Sequence, residues 1–211
     1  MDPRPRESSV SHHPSQAARV IIPVTTDTIR TKQLILRPLT LSDANDIFEY
    51  RRLRTVADWL NPIIPHQNVD ETRDCIRQTI LTTPDASGAI GRQFFFALLF
   101  ADDPAGRAIG TVGISALSPV PTLEFCTHPS TWNRGLATEA VGALVDAWWK
   151  LPRINVNSDG PEGPERLFAW CSTSNSGALR VLYNNGFNTY YGMSVSGQEL
   201  TLFVLEKPQG E

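Results

Sequence analysis

Hydrophobic positions in the first half of this 211-residue chain fall into short strand-sized runs set around two stretches with helical spacing. In the second half, strand and helix patterns alternate. Residues 34–39 are rich in Leu and Ile and read as a strand. Ser42 and Asp43 then suit a helix start, and the expected helix runs to about residue 54 with Ala44, Ile47, Phe48 and Arg51 at helical spacing. After Pro62 and Pro65 a second helix is expected over 70–82. The runs 93–101 and 108–117 are β-rich, and Asp102-Asp103-Pro104-Ala105-Gly106 between them suits a hairpin loop. Residues 122–127 form a third arm. A helix over 136–149 places Leu136, Ala140, Ala143, Leu144, Ala147 and Trp148 along one face, which marks it as packed on a sheet. A strand at 167–171, a helix capped by Ser174-Asn175-Ser176 and closed by Gly186, and strands at 187–193 and 199–206 complete the order.

Residues 1–30 are rich in Pro, Ser, Arg and His and lack either period, so they read as a flexible tail before a single domain at 31–211. The stretch 152–165, with Gly160-Pro161 and Gly163-Pro164, is a longer loop than most connections. A net charge of −3 gives no general argument for nucleic acid or membrane binding, and no apolar run approaches the roughly 20 residues that span a bilayer. Cys75, Cys126 and Cys171 are odd in number and widely spaced, which fits free thiols in a reducing, cytoplasmic setting. His12, His13, His66 and His128 show no ligand spacing with Cys or acids, so no metal is expected.

The junction between the strand at 122–127 and the helix at 136–149 carries the most chemical information. A Gly with small neighbours at a helix start lets a ligand approach the main chain, and the free N–H groups and dipole there favour an anion. Arg134 adds a charged donor. The run Trp132-Asn133-Arg134-Gly135-Leu136-Ala137-Thr138-Glu139-Ala140 resembles the acetyl-CoA loop of the GNAT acetyltransferase superfamily, most closely its RimJ/RimL-like branch of ribosomal-protein N-terminal acetyltransferases. One position departs: Asn133 stands where that branch has Gly, and Asn tolerates left-handed backbone better than most residues. A second stretch, Asn175-x-x-Ala178-x-x-Val181-Leu182-Tyr183-x-x-Gly186-Phe187, resembles the GNAT helix whose leading Asn contacts the pantetheine arm.

The resemblance implies an α/β fold of the α+β kind, a central mixed and mostly antiparallel sheet of about seven strands flanked by about four helices. It implies an acetyl-CoA-dependent N-acetyltransferase acting on a primary amine, a small molecule or a protein N-terminus, by direct attack in a ternary complex, with the chain a monomer or homodimer. Asn133, Arg134, Gly135, Leu136, Ala137 and Thr138 would hold the pyrophosphate. Phe125, Cys126 and Thr127 would pair with the pantetheine as a strand does, and Asn175 would help hold that arm.

The catalytic groups are less well specified. Glu124, flanked by apolar residues, is the candidate base, on the expectation that partial burial raises its pKa; His128 competes with it. The family's thiolate-protonating Tyr lies seven residues after the Asn, where this chain has Leu182. Tyr183 is one place later, rotated by about 100°, so water remains an alternative acid for a thiol of pKa about 8.5. Cys126 reads as a small buried residue rather than a nucleophile, and Glu139 as an anchor of its helix. Arg51, Arg52, Arg54, Asp58, Trp59 and His66 are polar or aromatic candidates for the acceptor pocket. An acyl-CoA-binding sensor, or a catalytically degenerate interaction protein on the same fold, is the alternative reading.

Overall fold

The structure is a computed structural model and describes residues 14–154, 163–195 and 197–208. Its framework is one sheet of eight strands: β1 (Ile29–Arg30), β2 (Leu34–Pro38), β3 (Phe94–Phe100), β4 (Gly110–Ala116), β5 (Thr122–Thr127), β6 (Arg166–Ser172), β7 (Asn188–Val195) and β8 (Gln198–Glu206). They lie in the order β1-β2-β3-β4-β5-β6-β8-β7. Neighbouring strands run antiparallel except β5 and β6, which are parallel. A parallel pair needs a crossover, and α4 (Leu136–Lys150) supplies it.

Strand alternation sorts the apolar side chains onto two faces. On one face Leu34, Leu36, Phe94, Phe96, Val112, Ile114, Leu123, Leu167, Ala169 and Phe203 pack with Leu136, Ala140, Leu144 and Trp148 of α4 and with Leu182 of α5 (Ser176–Asn184). On the other, Ile35, Phe95, Ala97, Leu99 and Cys126 pack with Ala44, Ile47 and Tyr50 of α1 (Ala44–Arg51), with Val56 of α2 (Arg54–Ala57) and with Ile76 of α3 (Val69–Arg77). Where β3 and β4 pair, Phe95 lies opposite Gly113, and its ring occupies the space a side chain there would need: a Cβ on Gly113 would sit 2.3 Å from the ring.

The expected helix at 42–54 is divided. A 3-10 turn (Leu41–Asp43) leads into α1, and Leu53 adopts extended backbone before α2 begins. The Asp43 carboxylate anchors this start, accepting from Thr40 N–H and from the Arg37 guanidinium. The expected helix at 70–82 begins where Asn68 Oδ1 accepts from Glu71 N–H and stops at Arg77, because the Thr79 hydroxyl captures the Ile76 carbonyl.

The expectation of a flexible tail through residue 30 needs correction. Residues 1–13 lie outside the described residues, but Val20 and Ile22 are buried in the main core. Ile22 N–H donates to the Asp85 carboxylate, Ile21 N–H to the Pro152 carbonyl, and Gln16 exchanges two hydrogen bonds with the main chain of Arg166. Apart from the short β1–β2 pairing and a single bridge between Val20 and Arg153, the segment is held by scattered hydrogen bonds to distant loops, so no period marks it. Of the 152–165 loop, residues 155–162 are outside the described residues. At its two ends Arg153 and Glu165 form a buried ion pair at 2.7 Å, and Arg153 also caps the carbonyls that close α4.

Two substitutions test this packing by urea denaturation. Gly113→Ala forces the Phe95 ring to shift and is expected to cost about 1–3 kcal/mol, the range for overpacking. Ile22→Ala is expected to cost about 2–4 kcal/mol, whereas a free tail would give no change.

Candidate active site

At its far end β5 parts from β6. The parallel ladder contains Thr122↔Phe168 and Leu123↔Ala169 and then stops, although both strands continue. On its other edge β5 stays in register with β4 as far as Gly110↔Thr127. The Pro121 carbonyl accepts from Phe168 N–H on the β6 side, whereas His128 N–H donates to the Ile109 carbonyl on the β4 side. Main-chain groups alternate between the two edges, so those of Phe125 and Thr127 face the opening. The Thr127 carbonyl is taken by the Trp132 indole N–H at 3.0 Å. The Phe125 N–H and carbonyl and the Thr127 N–H are left toward the gap.

The glycine loop lies at the same end. Asn133 (φ 59°) and Gly135 (φ 77°) are both left-handed. Asn133 thus adopts the backbone that its place in the motif requires. Gly135 is the N-cap of α4, and Glu139 N–H is the first to bond back, to the Gly135 carbonyl at 3.0 Å. The amides of Leu136, Ala137 and Thr138 therefore open the helix without an intrahelical acceptor, at the positive end of its dipole. The Arg134 guanidinium stacks 5.1 Å from the Phe100 ring centre at the rim of this loop. Glu139 ties the helix start to the sheet, accepting from Gln33 N–H at 2.7 Å and Gln33 Nε2 at 2.6 Å. Burial pushes its carboxyl up, but hydrogen bonds from Thr31 and Gln33 outweigh this and hold it below the ordinary range.

Asn175 caps α5, its Oδ1 accepting from Ala178 N–H at 3.0 Å. The two helices are drawn together where Asn185 Nδ2 donates to the Thr138 carbonyl at 3.2 Å. The Gly135 loop follows the end of β5 and Asn175 follows the end of β6, the two strands that part.

The catalytic candidates fare differently. Glu124 shares the face of Cys126, under α1 and α3, and its side chain is 46% exposed, 3.6 Å from Arg51 Nη2. The expected apolar enclosure is absent, because Leu123 and Phe125, its apolar neighbours in sequence, point to the opposite face. Tyr183 is 54% exposed and sits over β8 and β7, against the Phe203 ring and 3.1 Å from the Thr189 hydroxyl. Leu182 takes the buried position instead, so the structure does not bring Tyr183 to Glu124. His128 caps the 3-10 turn Pro129–Thr131, its Nδ1 accepting from Ser130 N–H at 3.1 Å. Cys126 is buried, and burial pushes its thiol up to about 11, which leaves it protonated and inert near neutral pH.

Glu124 is surrounded by groups from α1, α3 and the stretch between them. Arg51, in the last turn of α1, is its ion-pair partner. The Arg51 carbonyl accepts from His66 N–H at 3.1 Å, and His66 Nδ1 lies 2.8 Å from the buried Thr72 hydroxyl. Burial, and then the Arg51 charge, pull the His66 imidazole below its ordinary pKa. No periodicity links α1 to β5, so this cluster had no signal in the sequence beyond residue type. Among the described residues no group of three His, Cys, Asp or Glu side chains could hold a metal ion, and no helix is long and apolar enough to cross a membrane.

Solved structures share this architecture. A GNAT-family acetyltransferase from Bacillus anthracis superposes with a TM-score of 0.63 at 14% identity, over 86% of this chain and 99% of that one. RimL, a ribosomal alpha-N-protein acetyltransferase solved with coenzyme A, gives 0.63 at 13% identity, over 85% and 98%. A GCN5-related N-acetyltransferase from Brucella melitensis gives 0.62 at 16% identity, over 89% and 82%. No curated protein sequence is significantly similar to the chain. Residues 33–188, most of the folded part, match the acetyltransferase (GNAT) domain, and the chain therefore belongs to the GNAT acetyltransferase family as an N-acetyltransferase.

Proposed function

We propose that the protein transfers the acetyl group of acetyl-CoA to a primary amine, on a small molecule or a protein N-terminus, by direct attack in a ternary complex. The observation that carries this reading is the parting of β5 from β6 beside the Gly135 loop. One end of the opening offers the amides of Leu136, Ala137 and Thr138, with Asn133, Arg134 and Gly135 shaping the loop, which suits a pyrophosphate. Along the opening, Phe125 and Thr127 present a strand edge that suits the amides of a pantetheine arm, with Cys126 buried between them. Asn175 stands at the start of α5, and its side-chain N–H groups remain for the same arm while its oxygen caps the helix. RimL binds coenzyme A on the same fold.

In the reaction the amine nitrogen attacks the thioester carbonyl carbon and the C–S bond breaks. A main-chain N–H on the open edge of β5 stabilises the developing oxyanion. The proton lost by nitrogen passes to Glu124 or through it to water, and the leaving thiolate takes a proton from water, since Tyr183 faces solvent. The three free cysteines fit a reducing, cytoplasmic setting. The outward Tyr183 and half-exposed Glu124 favour one alternative, an acyl-CoA sensor without turnover; acetylation of any amine excludes it.

Two measurements test the reading. Acetyl-CoA at about 100 times its Kd is expected to stabilise the wild type by about 2.7 kcal/mol, several degrees in Tm, and Gly135→Glu is expected to abolish that shift. No shift at millimolar acetyl-CoA would sink the assignment. Asn175→Ala is expected to lower stability by about 1 kcal/mol through the lost cap and, separately, to raise the KM for acetyl-CoA while leaving the acceptor KM in place.

A further inference from the structure

Arg51 is a buried cation with too few partners. Its side chain is 11% exposed, and its Nε is buried with no hydrogen-bond partner among the described residues. A guanidinium carries five N–H donors and no acceptor. Here the paired carboxylate is that of Glu124, reached through Nη2 at 3.6 Å, longer than a hydrogen bond. The other ionisable groups that feel the Arg51 charge do not neutralise it. Burial pushes up the thiols of Cys126 and Cys75 and the Tyr50 phenol, so all three stay protonated, and it keeps the His66 imidazole neutral. Enclosing a charge with one long contact is costly unless something else completes its hydrogen bonds. The backbone around Arg51 is fixed: Tyr50 beside it is fully buried, and the Arg51 carbonyl holds His66 N–H.

Resting on the reading of β5 as the place of transfer, we propose that Arg51 determines acceptor specificity by holding an oxygen adjacent to the amine, while Glu124 faces the amine itself. The loose Arg51–Glu124 pair presents donors and an acceptor side by side. An α-aminoacyl unit has the matching form, a nitrogen and a carbonyl or carboxylate oxygen on neighbouring carbons. It occurs at the N-terminus of a peptide and in a free amino acid. Lysine side chains, polyamines and simple alkylamines carry no oxygen at that spacing. Arginine suits this role better than lysine because its planar fork offers two parallel donors to one acceptor group.

The test compares Arg51→Lys with wild type on alaninamide, free alanine and isopropylamine, which keeps the amine and its branched carbon but has a methyl group in place of the carboxamide. The ratio of variant to wild-type kcat/KM on each amine cancels their different basicities. We expect Arg51→Lys to lose about 30- to 100-fold on alaninamide or alanine, mostly in acceptor KM, and less than about 3-fold on isopropylamine. The acetyl-CoA KM and the Tm are expected to stay close to wild type. A larger effect on alaninamide points to peptide N-termini and a larger effect on alanine to free amino acids. Equal losses on all three amines, or no loss, would overturn the proposal. If the wild type acetylates none of them, calorimetric binding of alaninamide and alanine to the CoA complex decides. Binding that Arg51→Lys removes keeps the assignment of Arg51 while the transfer reading falls; absence of binding overturns it.

Discussion

The site depends on a ladder that ends early. After two residue pairs β5 and β6 no longer hydrogen-bond, while β4 continues to hold β5 along its other edge. An unpartnered main-chain amide costs about 1–3 kcal/mol when it is buried, so such a strand edge persists only where solvent or a ligand can reach it. The rest of the arrangement keeps the gap from closing. Trp132 takes the Thr127 carbonyl, the left-handed pair Asn133 and Gly135 turns the chain into α4, and Asn185 clamps α5 onto the first turn of α4. Glu139 fixes that same turn to the strand on the far side through Gln33. The helix start is thereby rigid, which positions its open amides before any ligand arrives.

The two faces of the sheet divide the work. The α4 and α5 face is an apolar core that supports the cofactor elements. The α1 and α3 face is apolar under Ile47 and Phe95 but turns polar at its end, where Arg51, Glu124, His66, Cys75 and Cys126 meet. Burial holds the thiols protonated and the imidazole neutral, so the charge beside β5 resides on Arg51 and Glu124, with the Glu71 carboxylate acting on His66 from the α3 side. A pair of opposite charges side by side gives direction to an incoming polar group.

How much of this was legible follows from which contacts are local. The helix at 136–149 buries one stripe, and its period is visible over four turns; the Gly135 junction and the Asn175 cap are equally local. The N-terminal segment around Val20 and Ile22 was not legible, because its hydrogen bonds go to Asp85, Pro152 and Arg166, far along the chain. Glu124 was misread for a specific reason. Apolar residues on either side of a strand residue point to the opposite face, so they say nothing about its burial. The displacement of Tyr183 by one position was readable, and in the fold Leu182 lies inside and Tyr183 outside. The Arg51–Glu124 pairing joins α1 to β5, with α2, α3, β3 and β4 between them in the chain, and only the fold shows it.

A half-exposed carboxylate paired with a guanidinium is not an enclosed base, and this limits which amines the site can use. Freeing a lysine amine of pKa about 10.4 at pH 7 costs about 4–5 kcal/mol, whereas an α-amine near 7.8 costs about 1. The difference arises from the carbonyl beside the α-amine, which withdraws electrons from the nitrogen. At a peptide N-terminus the carbonyl that Arg51 is placed to hold is therefore also the feature that makes the nitrogen easy to deprotonate. Recognition and reactivity converge on one oxygen, and a site without a strong base gains by selecting its acceptor through that atom.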